Sequence, residues 1–268
     1  MENKLVITSK DNESIKHIKK LKEKKYREEY HEFIIEGTKM IEEAIKENAN
    51  IKSIIICDDC KTQGAISNDL MYEIAKKNCI YVDEKVFNTI TDVINPQGIM
   101  AVVEKPENRE HKIDYNQDVF LILDNIQDPG NMGTILRTVD SLNLNQIIVS
   151  KGSADIYNLK VVRSTMGAIF RVKIIESEDL IKTIKEMKKH KIKVCSTDLK
   201  TDKSIYDIDY NKTAIVIGNE ANGVSEKVLE ISDSKIKIPM LGKTESLNAA
   251  VATSIILYES HRKIGKIH

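Results

Sequence analysis

Runs of apolar residues alternate with amphipathic segments along the second half of the chain. Residues 119–123 read Val-Phe-Leu-Ile-Leu, a continuous apolar run that is typical of a strand buried on both faces. Similar patterns predict further strands at 146–149, 168–175, 193–197, 213–217 and 236–238, and helices at 134–142, 179–189 and 247–263. Because strands alternate with helices, this half is predicted to be an α/β unit built around a parallel sheet.

The first half shows the same alternation in a smaller unit. It opens on a basic stretch at 13–29, in which Ile15, Ile18 and Leu21 recur at helical spacing. Strands are predicted at 33–37, 51–57, 80–82 and 99–103, and helices at 38–46 and 68–78. A charged segment with little apolar content follows. We therefore expect a domain at 1–105, a linker at 106–117 and a second domain at 118–268.

The balance of charge changes which partners are expected. The chain has 41 Lys and Arg residues against 41 Asp and Glu, so its formal net charge is zero. A global basic field is therefore absent, and a nucleic acid must be held by a local patch. No apolar stretch has the length of a signal peptide or a membrane span, because Thr253 and Ser254 interrupt the run at 249–258. We expect a soluble protein of the cytoplasm.

Cysteine spacing gives no support for a metal centre. Cys57 and Cys60 form a CxxC pair, but the sequence has no second such pair or His pair at zinc-finger spacing. Cys57 also follows the apolar run 53–56, where a strand is predicted. The preferred interpretation is a strand end with reduced thiols rather than a metal or redox site, and no bound metal is predicted.

Three segments rich in Gly, Asn and small polar residues stand next to predicted strands and helices, at 125–137, 217–225 and 238–248. The Gly-x-Gly-x-x-Gly spacing of dinucleotide-binding proteins is missing after the strand predicted at 119–123. A P-loop is missing too, because Val224 and Ser225 follow Gly223 where that motif needs Lys and Ser or Thr. Each segment alone has an ordinary interpretation as a turn or a helix cap. Their joint occurrence along one sheet favours a single composite site.

These segments resemble the motifs of a known family. Asn131-x-Gly133-x-x-x-Arg137, Gly218-x-Glu220-x-x-Gly223-x-Ser225 and Ile238-Pro-Met240 through Ser246-Leu-Asn248 are similar to the three motifs of the SpoU (TrmH) family of RNA ribose 2′-O-methyltransferases. The stretch 33–37, followed by 40–44, resembles the substrate-binding domain of many members, an α/β domain similar to ribosomal RNA-binding proteins. The resemblance implies a SPOUT-class α/β domain with a deep trefoil knot, an exception to the rule that chains are unthreaded.

The resemblance also implies a cofactor, a set of site residues and a homodimer that completes the active site at its interface. The implied methyl donor is S-adenosyl-L-methionine, with pocket positions at Thr197, Gly218, Ile238 and Leu247. The implied catalytic positions are Arg137, Asn131, Glu220, Ser246 and Asn248. Alanines at 249, 250 and 252 suit the close approach of a second backbone, but core packing within one subunit explains them equally well.

Arg137 matches the family arginine that is sometimes assigned the role of base. A guanidinium stays protonated at ordinary pH, so that role is physically awkward. We expect Arg137 to hold an RNA phosphate and to stabilise the charge that develops on the ribose oxygen, with a substrate phosphate or water as proton acceptor. Asn131, Ser246 and Asn248 would orient the ribose, and Glu220 would fix the loop geometry or act near the positive sulfur.

RNA contact is expected to begin with the basic stretch at 13–29. Tyr26 and Tyr30 are available there for base stacking, and phosphate-binding charge comes from Lys16, Lys19, Lys20, Lys22, Lys24, Lys25 and Arg27. A solvated helix face is the alternative interpretation. The favoured substrate is 23S ribosomal RNA. Transfer RNA is one alternative, and a non-catalytic RNA-binding or ribosome-assembly factor on the same fold is another.

Overall fold

The computed structural model describes residues 5–58, 66–106 and 112–267. The chain divides into two compact units, Met1–Glu107 with Tyr157–Phe170, and Asn108–Ile156 with Arg171–His268. The segment Tyr157–Phe170 departs from the predicted division, which placed it in the second domain. It belongs to the first unit because the ring of Phe33 lies 4.9 Å from that of Tyr157 and 6.4 Å from that of Phe170.

The secondary structure covers both units. The strands are β1 Val6–Ile7, β2 Glu32–Glu36, β3 Ile51–Cys57, β4 Cys79–Val82, β5 Ile99–Glu104, β6 Val119–Asp124, β7 Gln146–Ser150, β8 Lys173–Ser177, β9 Lys193–Thr197, β10 Thr213–Gly218 and β11 Ser234–Ile236. The helices are α1 Glu13–Lys20, α2 Lys24–Tyr30, α3 Thr38–Lys46, α4 Asn68–Ala75, α5 Glu84–Ile90, α6 Pro129–Ser141, α7 Leu159–Thr165, α8 Leu180–Lys189, α9 Glu226–Ile231 and α10 Ala249–Lys263.

The first unit contains a mixed sheet with the strand order β1-β4-β3-β5-β2. β4 runs parallel to β1 and β3, whereas β5 runs antiparallel to β2 and β3. Each strand and helix predicted in this half has a counterpart, although the helix expected at 68–78 ends at Ala75. The sequence reading missed β1 and α5, which are too short to give a clear periodic signal.

The basic stretch at 13–29 forms two helices, α1 and α2, instead of one. Leu21 is buried at the end of α1, and the guanidinium of Arg27 turns back toward it. Nη1 of Arg27 donates hydrogen bonds to the carbonyl oxygens of Leu21 and Lys22, both at 2.7 Å. The last carbonyls of a helix have no partner within the helix, so Arg27 stabilises the break between α1 and α2.

The second unit is built on a parallel sheet with the strand order β11-β9-β10-β6-β7-β8. Its neighbouring strands β6 and β10 are buried along their whole length, which explains their uninterrupted apolar sequences. The predicted fold class is confirmed: an α/β protein with a parallel C-terminal sheet and a smaller N-terminal α/β unit. The trefoil knot stays a prediction of the resemblance.

α6 begins at Pro129 and not at the predicted residue 134, so Asn131 and Gly133 lie inside a helix. Asp128 is the N-cap, because its carboxylate accepts a hydrogen bond from the backbone N–H of Asn131 at 2.7 Å. Pro129 occupies the first helical position, where its missing N–H costs nothing. Pro, Gly and Asn are typical of turns, which is why the sequence suggested a loop.

A second difference lies at 168–175, which was predicted as one strand. Met166 and Gly167 have positive φ angles of 51° and 99° and end α7. Ala168–Phe170 then forms a 3₁₀ turn, and β8 begins only at Lys173. The helices α7 and α9 were not predicted.

Cys57, the last residue of β3, is disulfide-bonded, so the prediction of reduced thiols is wrong for this residue. Cys60 lies outside the described residues, Cys79 is half-buried in β4, and Cys195 is a buried thiol. Within the described ranges, no group of three or more His, Cys, Asp or Glu side chains is placed to hold a metal ion. None of the helices in the same ranges is long and apolar enough to cross a membrane.

Candidate active site

A cavity of about 800 Å³ lies in the second unit, where β9, β10 and β11 end. These strands are parallel, so their carboxyl ends meet at one edge of the sheet, the usual place for a ligand in an α/β fold. The four predicted cofactor positions all line this cavity: Thr197, Gly218, Ile238 and Leu247. Three predicted catalytic positions line it too, namely Glu220, Ser246 and Asn248.

The backbone that follows Gly218 leaves no room for a side chain at this position. Directly after it, Asn219 and Gly223 exchange backbone hydrogen bonds of 3.0 and 2.9 Å, so the loop folds back on itself. A Cβ atom on Gly218 would lie 2.0 Å from the backbone nitrogen of Val224. Backbone cannot move aside as the end of a flexible side chain can, so only glycine fits at this position.

Gly218→Ala is therefore expected to lower the free energy of unfolding by about 3 kcal/mol and to weaken cofactor binding at the cavity. Denaturant unfolding and titration calorimetry with S-adenosylmethionine would measure the two effects. Gly242→Ala is the matched control in the third motif segment, because a Cβ there meets nothing within 4 Å. Equal stability of the two variants would contradict the steric explanation.

A chain of hydrogen bonds connects the three motif segments. The carboxylate of Glu220 accepts a hydrogen bond from Nδ2 of Asn131 at 2.9 Å. Oδ1 of Asn131 in turn accepts one from Nδ2 of Asn248 at 2.8 Å. Oδ1 of Asn248 then caps α10 by accepting from the backbone N–H of Ala250 at 2.9 Å. We call Glu220, Asn131 and Asn248 the motif network.

The direction of the motif network follows from Glu220. An ionised carboxylate only accepts hydrogen bonds, so Asn131 must present its NH₂ group to Glu220 and its oxygen to Asn248. Burial raises the pKa of Glu220, but the hydrogen bonds from Asn131 and from the backbone N–H groups of Gln127 and Asp128 outweigh it and lower the pKa overall. Glu220 is therefore charged at neutral pH, and each amide orientation in the network is fixed.

Arg137 stands apart from this cavity. Its side chain is exposed on α6 and is not among the lining residues. This side chain makes no hydrogen bond or ion pair with any other residue in the part of the chain that the structure describes. The cation is therefore available to a group from outside this subunit.

Comparison with known proteins matches each half of the chain to a family model. Residues 118–258 match the model of the SpoU rRNA methylase family, and residues 12–101 match an MRM3-like substrate-binding domain. The chain belongs to the SpoU rRNA methylase family. This membership confirms the predicted family, the predicted enzyme class and the predicted cofactor, S-adenosylmethionine.

Relatives of this SpoU methylase align along almost its whole length. The 23S rRNA (guanosine(2553)-2′-O)-methyltransferase RlmP of Bacillus subtilis is 35% identical over 253 residues, which cover 94% of this chain and 97% of that protein. The crystal structure of an AdoMet-bound rRNA methyltransferase from Sinorhizobium meliloti has a TM-score of 0.84 and 29% identity, covering 96% of this chain and 97% of that one. AviRb from Streptomyces viridochromogenes, solved with AdoMet, has a TM-score of 0.83 and 25% identity, with coverages of 94% and 98%.

Two residues that support the second motif of this SpoU methylase were missed from the sequence. Asp124, at the end of β6, accepts a hydrogen bond from the backbone N–H of Ser225 at 2.8 Å. Asn219 donates to the carbonyl oxygen of Asn125 at 2.9 Å and accepts from the backbone N–H groups of residues 221 and 222, both at 3.0 Å. The available signal for Asp124 was a carboxylate that directly follows a buried apolar strand.

Among the predicted RNA-contacting residues of α1 and α2, Lys20 and Lys25 are exposed, whereas Arg27 is buried. The amines of Lys20 and Lys25 lie 5.5 and 5.4 Å from the ring centre of Tyr26, which stacks on Tyr30 at 6.0 Å. Exposed cations beside aromatic faces are typical of an RNA-binding surface. Arg27 does not belong to this surface, because its side chain is buried against the end of α1.

Proposed function

We propose that this chain transfers the methyl group of S-adenosylmethionine to a ribose 2′-hydroxyl of 23S ribosomal RNA. The observation that carries the proposal is the motif network, which joins all three motif segments at one cavity. The relation to RlmP, along nearly the full length of both chains, supports ribosomal RNA as the substrate. The predicted cytoplasmic location is part of the same proposal.

The cavity fits the cofactor in size and in chemistry. Its volume of about 800 Å³ is within the range of small-molecule sites. Ile238, Leu247 and Leu229 offer apolar walls for an adenine ring, while the carboxylates of Glu226 and Glu245 suit a positively charged group. When bound, S-adenosylmethionine supplies a methyl group on a positively charged sulfur.

The predicted catalytic residues take different roles in this proposal. Asn131 is buried and uses both ends of its amide within the motif network, so it positions the other motifs and does not contact the ribose. Glu220 and Asn248 hold the cavity wall in the same way. Ser246 is exposed at the cavity and remains available to orient the ribose. Arg137 binds an RNA phosphate and stabilises the ribose oxygen as it loses its proton.

We also propose that the protein is a homodimer formed through α10. Val251, Ile255 and Tyr258 follow one face of this helix and are between 36% and 48% exposed. Apolar residues at such spacing are unusual on a solvated helix face. Ala249 and Ala250 are buried within the subunit, so core packing accounts for those two alanines.

The exposed face of α10 lies beside the helix that carries Arg137. Thr138 on α6 and Ser254 on α10 are joined by a hydrogen bond of 2.9 Å between their hydroxyls. A second subunit that covers α10 therefore comes close to Arg137. We propose that Arg137 of each subunit serves the cavity of its partner.

Mixed dimers test this arrangement. Arg137→Ala and the cavity-blocking variant Leu247→Arg are each expected to be inactive. Co-expressed in equal amounts, they are expected to recover about a quarter of wild-type activity, because half of the dimers are mixed and one site in each mixed dimer has both residues intact. Activity no higher than that of the separate variants would exclude a shared site. Analytical ultracentrifugation would show whether the protein is a dimer in solution.

Transfer of tritiated methyl groups tests the proposed function itself. The full-length protein is expected to label 23S ribosomal RNA at one nucleotide, and a 2′-deoxy substitution at that nucleotide is expected to abolish the label. Label in transfer RNA alone would overturn the ribosomal substrate. No label in either RNA, despite cofactor binding by calorimetry, would support the non-catalytic alternative.

A further inference from the structure

A second cavity, of about 770 Å³, lies entirely within the first unit. Its floor is apolar, formed by the buried side chains of Leu21, Ile34 and Met40. Its rim is strongly basic, with cations contributed by Lys22, Lys39, Lys160 and Arg163. We call this cavity the basic cavity.

Two of the four rim cations are already neutralised by neighbours. Nζ of Lys22 lies 2.7 Å from Oδ1 of Asp92, and Nζ of Lys39 lies 2.9 Å from Oε1 of Glu43. The remaining two, Lys160 and Arg163, are exposed on α7 and three residues apart, so they project from the same side of the helix. Neither side chain has an ion pair or hydrogen bond to any residue within the described ranges.

Glu36, at the end of β2, brings an unsatisfied acceptor to the basic cavity. It is only 6% exposed, and one of its carboxyl oxygens accepts a hydrogen bond from the hydroxyl of Thr91 at 2.5 Å. The other oxygen, Oε2, is buried and has no hydrogen-bond partner among the described residues. Burial raises the pKa of Glu36, and this effect outweighs the hydrogen bond from Thr91 and the charge of Arg163, which act in the opposite direction. Buried polar atoms normally have partners, so Oε2 calls for a donor from a ligand.

Gln97 adds a donor at the same place. Its Oε1 accepts hydrogen bonds from the backbone N–H and the hydroxyl of Thr38, at 2.9 and 3.2 Å. This fixes the amide so that its NH₂ group is the end left for a ligand. The basic cavity thus combines an apolar floor, an acceptor at Glu36, a donor at Gln97 and two cations that form no ion pair with a described residue.

We propose that the basic cavity binds one unpaired nucleotide of the RNA substrate. Lys160 and Arg163 contact its phosphate, the apolar floor contacts the face of its base, and Oε2 of Glu36 accepts from an N–H on the base edge. Each of the four RNA bases presents at least one such N–H, so this subsite tolerates different sequences. The inference rests on the proposed function, because it takes the nucleotide from the RNA that the enzyme methylates.

The two cations of this subsite lie on α7, a helix that belongs to the first unit although its residues match the methylase family. Lys160 and Arg163 lie within the residues that match the methylase family, 118–258, yet they belong to the compact unit of the substrate-binding domain. The match to the substrate-binding domain, at 12–101, does not include them. The site is therefore completed by a segment that neither family match assigns to RNA recognition.

Binding of a fluorescein-labelled, unstructured RNA of mixed sequence to the full-length protein tests the proposal. The double variant Lys160→Ala/Arg163→Ala is expected to weaken binding at least tenfold at low salt. It is also expected to reduce the slope of log K against log salt by about 0.7, the contribution of one neutralised phosphate of a single strand. The matched control is Lys77→Ala/Lys85→Ala, which removes two exposed cations of the same unit outside the cavity.

Glu36→Gln separates base contact from phosphate contact. With its oxygen held by Thr91, the new NH₂ group would face the base N–H, and two donors repel each other. Binding is expected to weaken about fivefold while the salt slope stays at the wild-type value, with thermal unfolding as the check on folding. A wild-type slope in the Lys160/Arg163 variant, or a slope lowered equally in the control, would overturn the proposal.

Three further outcomes test the identity of the ligand and separate the subsite from the proposed function. Binding of a mononucleotide, adenosine or uridine 5′-monophosphate, as tight as that of the RNA would overturn RNA as the source of the nucleotide. Methyl transfer by the wild-type protein together with unchanged RNA binding by Lys160→Ala/Arg163→Ala would overturn the subsite alone. Loss of RNA binding in that variant, with no transfer by the wild type, would support the subsite and overturn the proposed function.

Discussion

Arg137→Ala is expected to lower kcat/KM by about 10³-fold while leaving the affinity for S-adenosylmethionine within about twofold. The guanidinium is exposed, has no partner among the described residues and does not line the cofactor cavity. Its removal should therefore cost nothing in folding or in cofactor binding. The whole loss is expected in the step where the ribose oxygen gives up its proton and gains charge. Single-turnover methylation and calorimetry measure the two quantities separately.

A control for this variant is Lys189→Ala. Lys189 is an exposed cation of the second unit that forms an ion pair of 2.8 Å with Glu186 on α8, and the two side chains are 72% and 48% exposed. This variant is expected to behave as wild type, because exposed pairs of this kind contribute little to stability. Arg137→Lys adds a second comparison, since lysine keeps the charge but loses the planar fork that binds phosphate through two bonds. Full activity of Arg137→Ala would refute the proposed role.

Asn131→Asp is expected to make the enzyme strongly pH-dependent, with about 10²-fold lower activity at pH 8 than the wild type. The substitution places a carboxylate where an NH₂ group now stands 2.9 Å from Glu220. Two carboxylates so close cannot both ionise readily, so the pair keeps one proton to a higher pH than either group alone. Below the pKa of the pair, the shared proton restores the hydrogen bond; above it, repulsion separates the motif segments.

The pH dependence expected for Asn131→Asp is opposite in sign to the contribution that Glu220 makes to stability in the wild-type protein. The pKa of Glu220 is lowered in the folded protein, so its contribution to stability is present at neutral pH and is lost as the pH falls below the ordinary carboxyl range. In Asn131→Asp the pair has a raised pKa, so stability and activity are expected to fall as the pH rises. Activity and denaturant unfolding between pH 5 and 8 would record both trends. Asn131→Ala, which cannot share a proton, is the control and should show no recovery in acid.

The sequence was sufficient for the elements with long apolar runs and for the residues that face the cofactor cavity. Thr197, Gly218, Ile238 and Leu247 come from separate strand ends and loops, yet a parallel sheet brings such ends to one edge. The motif spacing therefore predicted which residues lie together. It was less informative about what each residue contacts, because Asn131 was expected to touch the ribose, whereas its amide forms hydrogen bonds with Glu220 and Asn248.

Features that depend on tertiary contacts were beyond the reach of the sequence. Arg27 is one of several cations in a basic stretch, and nothing in that stretch distinguishes it as the one whose guanidinium is buried against the end of α1. The composition of Pro129–Gly133 indicates a turn, but the cap supplied by Asp128 makes it helical. Glu36 follows an apolar strand as many surface glutamates do, and only the packing around it reveals the unsatisfied oxygen.

The return of Tyr157–Phe170 to the first unit has a consequence for how this protein is made. Val161 and Val162 on α7 are fully buried, so the N-terminal unit is incomplete until this segment has left the ribosome. The portion synthesised first must therefore wait for more than fifty later residues before its last helix arrives, about three to ten seconds at ordinary elongation rates. During that interval the nascent chain exposes apolar surface that a chaperone could shield, and a truncated protein that ends at Glu107 would expose that surface permanently.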